Sequence, residues 1–122
     1  MITKNVLGTE LESCSDELET GFFRNGKCET CESDDGMHTV CAEMSKEFLE
    51  FSKKAGNDLS TPREDFNFPG LKPGDRWCIC LPRWIDALEA GIAPKILLRS
   101  THHSVLELVP LEVLEKHAIK DD

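Results

Sequence analysis

The stretch Leu71-Lys-Pro-Gly-Asp-Arg-Trp-Cys-Ile-Cys-Leu81 constrains the fold more than any other part of the chain. A Pro-Gly turn leads into Trp77-Cys-Ile-Cys-Leu81 and Pro82 ends it, so the segment reads as one short strand. Residues two apart on a strand face the same side. Cys78 and Cys80 are therefore expected side by side, with Asp75 and Arg76 at the strand's mouth. His38-Thr-Val-Cys41 reads as a second thiol-bearing strand.

A chain of 122 residues is long enough for one real core and is read as a single domain, 1–122. The hydrophobic fraction of 39% with 30% charged residues is ordinary for a globular protein. The net charge of −9 argues against nucleic acid as a partner, because a phosphate backbone demands a basic surface. It argues equally against an anionic membrane surface. No apolar run approaches the roughly 18 residues of a membrane span, and acids and Ser interrupt every short apolar stretch in residues 1–20. The expected location is the cytoplasm. The six cysteines are then expected as thiols, ligands or core residues rather than disulfides.

The expected fold class is α+β: a small mixed or antiparallel sheet with about three helices packed on it, after an irregular N-terminal third. Residues 1–36 hold only short apolar pieces broken by Gly, Ser and acids. Met37–Met44 suits a strand. Ser45 is a natural N-cap for a helix running to Ala55, with Phe48, Phe51 and Ala55 as its inner stripe and Gly56 as its stop. Residues 57–76 form a long connection with two Pro-Gly turns, pinned to the core by Phe66, Phe68 and Leu71. Pro82 opens a helix whose inner face is Trp84, Ile85 and Leu88, ended by Gly91. Lys95–Thr101 reads as a strand. Pro110 opens a last helix with Leu111, Leu114 and Ala118 inward and Glu112–Lys116 as an exposed pair.

Several blocks resemble a known family. Asn5-Val-Leu-Gly8, Gly21-Phe-Phe-Arg24, His38-Thr-Val-Cys-Ala42, Phe48-Leu-Glu-Phe-Ser52, Gly56-Asn-Asp-Leu-Ser-Thr-Pro62 and Phe68-Pro-Gly-Leu-Lys-Pro-Gly-Asp-Arg-Trp-Cys78 look like the signature blocks of a small bacterial domain-of-unknown-function family (DUF2237). Pro110-Leu111 also fits. The resemblance spans nearly the whole chain and implies a compact α+β domain. It implies no activity. Where the family tends to have two adjacent cysteines, this chain has Lys27-Cys28, and it adds Cys31.

Cys28-x2-Cys31-x6-His38-x2-Cys41 offers four zinc ligands at paired spacings, since zinc takes four N or S atoms in a tetrahedron. Cys28 or Cys41 could instead join Cys78 and Cys80 across neighbouring strands, and a free cysteine also packs as a small hydrophobe. Cys78, Cys80 and His38 form the candidate catalytic set, because a histidine beside a thiol activates it. Cys80 lies just before the Pro82 helix, whose free N–H groups favour a thiolate, and Cys78 follows Arg76 by two. One of the pair is therefore expected to alkylate well below pH 8, faster than Cys14 or Cys28. His102, at the end of the strand expected over 95–101, is a second histidine placed to reach the thiols. Together with Asn57, Asp58, Asp75 and Arg76 it makes a candidate ligand-binding rim, with Arg76 taking a carboxylate or phosphate. Turn chemistry and an Arg76–Asp58 ion pair are the structural alternatives for that rim. His117, in the last turn of the final helix, suits the helix dipole. Three functions fit these residues: a binding module or accessory protein for a small molecule or metal, a thiol-dependent enzyme acting on a small molecule, or a structural protein with buried thiols. No phosphate loop, dinucleotide fingerprint, nucleophile elbow or His-Glu-x-x-His helix is present.

Overall fold

Two short strands organise the molecule. In the computed structural model, which describes residues 2–119, β1 (Val40–Glu43) and β2 (Arg76–Ile79) pair antiparallel, with Cys41 opposite Cys78 and Ala42 opposite Trp77. Alternation along each strand sorts side chains to two faces. Val40, Ala42, Trp77 and Ile79 join the main apolar core, while Cys41 and Cys78 lie on the other face with Cys14 and Cys28. Both faces are covered, which is why neither strand shows a polar stripe.

Three helices complete the α+β fold. α1 (Lys46–Lys54) starts where the Ser45 hydroxyl accepts the Phe48 N–H at 3.1 Å. It buries Phe48, Leu49 and Ser52 and ends before Gly56, whose φ of +92° favours glycine. Ala55, expected inward, is exposed, because the helix has already closed at that point. α2 (Leu81–Glu89) buries Leu81, Trp84 and Ala87, and the Trp84 indole N–H donates to the Pro94 carbonyl at 3.1 Å. α3 (Leu111–Lys116) follows Pro110 and buries Leu114 completely.

Two expectations need correction. Lys95–Thr101 is not a strand. Ile96 bridges Ala42 on one side and Ala118 on the other, and the chain then curls into a 3₁₀ turn over Leu98–Ser100. The Thr101 hydroxyl donates to the Leu97 carbonyl at 2.8 Å and closes that turn, a local bond that competes with a ladder. Phe66 does not pin the long loop. It is 62% exposed beneath the Arg63 guanidinium, while Leu71 is buried and Phe68 packs on Trp77.

The cysteines bring the largest correction. Four of the six are not thiols: Cys14 is bonded to Cys41 and Cys28 to Cys78. The strand register sets this up. The Cys41 and Cys78 N–H groups donate to the Thr101 and Thr20 hydroxyls rather than to each other, so the pair is of the closer, non-hydrogen-bonded kind. Two sulfurs thus stand together on one sheet face, and the N-terminal segment lays one cysteine on each. The first third contains no helix or strand among the described residues. Its order comes from these staples and from Asn5, a fully buried side chain that donates to Thr9, Glu10 and Arg99 and accepts from Leu7 and Thr9. Loop closure over separations of 27 and 50 residues corresponds to about 3.6 and about 4.1 kcal/mol, taken singly.

Candidate functional site: a Cys80–His38–Asp34 array

The turn before β1 builds the site. The Asp34 side chain is wholly buried and accepts three hydrogen bonds: Thr30 hydroxyl at 2.9 Å, His38 backbone N–H at 2.9 Å and His38 Nδ1 at 2.6 Å. Burial pushes its carboxyl up, but these donors outweigh that and hold it below the usual aspartate value. Met37, with a left-handed φ of 51°, reverses the chain so that residues 34 and 38 face each other. With Nδ1 committed to Asp34, Nε2 is the ring nitrogen left to meet a further partner.

Beside the ring stands Cys80. Cys80 lies one residue beyond β2, at the N-cap of α2, and its half-buried thiol remains free. The Leu81 N–H donates to the Met37 carbonyl at 2.9 Å and ties the helix start to the histidine turn. The Cys80 sulfur and the His38 ring flank the same point over Gly36, and Cys80 is the largest reason the imidazole is raised from 6.5 to about 9. Partial burial opposes the rise and Asp34 reinforces it. At neutral pH His38 is thus imidazolium, held between a buried carboxylate and a sulfur. Gly36 covers the contact. A methyl group there would sit 3.0 Å from His38 Cε1 and 3.2 Å from the Cys80 sulfur.

A small cavity of about 210 Å³ opens beside His38, lined by Gly21, Phe22, Arg24, Trp77 and Cys78. The Phe22 ring lies 6.4 Å from the imidazole, and the Arg24 guanidinium rests over Trp77 at 5.6 Å.

The other expected site residues fall elsewhere. Cys78 shares its strand with the array but is buried in a disulfide, so it and Cys80 have separate partners. The zinc set Cys28, Cys31, His38 and Cys41 is not assembled: Cys28 and Cys41 belong to different disulfides, Cys31 is exposed, and His38 faces Asp34 and Cys80. Among the described residues, the group close enough to share a metal ion is Cys14, Cys28 and Cys78, all within 4.8 Å of one another. Asp58 closes its own turn by accepting from Ser60 and from Thr61, and the Thr61 hydroxyl bond is the main reason its carboxyl lies low. The Asn57 carbonyl accepts from Ser52, and the Asp75 carboxylate accepts the Lys72 N–H. Arg76 faces Glu43 at 3.7 Å, not Asp58. His102 is buried beside Ser104 and stacked on His103; burial first, then its neighbour's charge, keeps its pKa below 6.5. His117 packs edge-on against Trp84.

Residues 4–118 match the profile of a family described as an uncharacterized protein conserved in bacteria, DUF2237. The chain belongs to this family. No curated protein matches it. Membership covers the whole array, since Asp34, His38 and Cys80 all lie inside the matched span of this DUF2237 chain. Asp34 is the functional candidate that sequence reasoning missed. Its signal is the Asp34-x3-His38 spacing around Gly36, hidden in a run of acids that resembles a solvated face.

Proposed function

We propose that this protein is a thiol-dependent enzyme acting on a small electrophilic molecule. Cys80 is the nucleophile, His38 its cationic partner and Asp34 the group that orients the imidazole. The observation that carries this reading is the free, partly exposed Cys80 thiol set beside a histidine whose Nδ1 a buried carboxylate fixes. That order of groups is how a thiol is made nucleophilic in unrelated folds. The positive end of α2 supports it by favouring negative charge on sulfur. The cavity at Phe22 and Arg24 suits a small substrate with an apolar body. Among the described residues, no helix is long and apolar enough to cross a membrane. We place the protein in the cytoplasm in this reading, where its disulfides meet reducing thiols.

Iodoacetamide provides the test. The Cys80 sulfur bonds to the methylene carbon, the carbon–iodine bond breaks, iodide leaves, and the thiol proton goes to solvent while the His38 imidazolium steadies the negative charge on sulfur. Peptide mapping of the native protein at pH 6.5 should show Cys80 alkylated at least tenfold faster than the more exposed Cys31. His38→Ala should remove that advantage. Equal rates at Cys80 and Cys31 would end the enzyme reading and leave a binding role for the same surface. A panel of acyl and other electrophilic metabolites, assayed against Cys80→Ser, then identifies the reaction.

A further inference from the structure

Two disulfides bury their four sulfurs in a single cluster on the sheet face opposite the helices. Such adjacency is not needed for stapling, since each bond would work alone. We propose that, once a dithiol has reduced both bonds, Cys14, Cys28, Cys41 and Cys78 form a tetrathiolate site for a zinc-like divalent cation. This goes beyond the Cys80 reading and does not use Cys80.

The geometry supports it. Tetrahedral zinc with Zn–S near 2.3 Å sets its sulfurs about 3.8 Å apart. Cys14, Cys28 and Cys78 already place theirs within 4.8 Å of one another, and Cys41 is bonded to Cys14. Two ligands stand opposite each other on a paired β-ladder and two come from the N-terminal segment. Small rotations about the Cα–Cβ bonds would spread each former disulfide and draw the other sulfurs inward. All-thiolate ligation selects soft or borderline cations such as zinc over magnesium or calcium. Access exists on two sides: Cys14 lines an open cavity of about 340 Å³ together with Arg76, and Cys78 lines the one beside His38.

The chemistry balances. Two dithiols deliver four electrons and four protons to the two disulfides and leave as cyclic disulfides, giving four thiols. The cation then displaces four protons to solvent. Metal and disulfides are thus alternative fasteners for the same N-terminal segment, chosen by redox state.

Cobalt(II) is the probe. Protein reduced with dithiothreitol and moved anaerobically into metal-free buffer should bind one equivalent, with the intense thiolate-to-metal and long-wavelength bands of a tetrahedral tetrathiolate. Zinc should bleach them. Oxidised protein should show none. A Cys31→Ser, Cys80→Ser double variant should reproduce the wild-type spectrum, and Cys28→Ser should bind at least tenfold more weakly. Near-ultraviolet dichroism of the tryptophans should match the oxidised fold once cobalt is bound. Absence of the bands in reduced wild type, their loss in the double variant, or bands without restored dichroism would each overturn the proposal.

Discussion

Asp34→Asn tests the array at its foundation. The Asp34 carboxylate accepts three donors with its side chain fully buried. Thr30 and the His38 backbone share one oxygen, and His38 Nδ1 takes the other. An amide has one oxygen and one donor group, so its N–H meets the His38 backbone N–H in one orientation and the imidazolium Nδ1–H in the other. One buried donor is left unpaired, at about 1–3 kcal/mol, and a charge-assisted bond becomes a neutral one. The expected loss is about 2–4 kcal/mol, a fall in Tm of roughly 8–16 °C for a domain of this size. A pH signature distinguishes this from a generic packing defect. The His38 move from 6.5 to about 9 would correspond to about 3 kcal/mol in a fully buried ring. With about a third of the side chain exposed, screening reduces it to about 1–1.5 kcal/mol. A raised folded-state value stabilises fully below 6.5 and loses that contribution as pH climbs through about 9. Urea titrations at intervals from pH 6 to 9.5 should therefore show the gap between wild type and Asp34→Asn narrowing as pH rises. Histidine NMR should place His38 near 9 in wild type and lower in the variant, though still raised by Cys80. A wild-type His38 titrating near 6.5, or a variant as stable as wild type, would refute the reasoning.

Three further outcomes follow from particular contacts. Gly36→Ala should slow Cys80 alkylation severalfold and cost about 1 kcal/mol in urea, because its methyl meets both His38 and the Cys80 sulfur closer than ordinary contact; an unchanged rate would mean Gly36 does not cover the pair. Replacing Cys14 and Cys41 together by Ala should lower unfolding free energy by about 3–4 kcal/mol through the 27-residue loop it frees; a loss under 1 kcal/mol would show that the segment is held by other contacts. In acid, the lowered Asp34 carboxyl contributes stability above its unfolded value of 3.8 that is lost as pH falls through its folded one; wild type and Asp34→Asn should therefore converge in stability as pH falls through that folded value.

The sequence made the local signals legible. Ser45, Gly56, Pro82 and Pro110 mark helix ends through chemistry that acts within a turn, and α1, α2 and α3 lie where those signals put them. Strand alternation also showed that Cys78 has a definite face. Which atoms stand opposite it was beyond reach, because the partners Cys28 and Cys14 arrive from a segment with no periodicity of its own. The same limit hid the array's third member. His38 and Cys80 stood out by type, whereas Asp34 is one acid among Glu29, Glu32 and Asp35 until the turn at Met37 buries it. Lys95–Thr101 misled for the opposite reason: its apolar residues suit a strand, yet two backbone bonds and a hydroxyl-to-carbonyl bond fold it into a turn.

The two-faced sheet also divides the molecule by susceptibility. Side chains on the helical face are held by apolar burial alone, which no reductant touches. Those on the sulfur face depend on bonds that electrons can open. Under mild reduction, amide hydrogen exchange should therefore accelerate first across residues 10–36, while Phe48, Trp84 and their helices stay protected, so that one half of a small protein can loosen without the other.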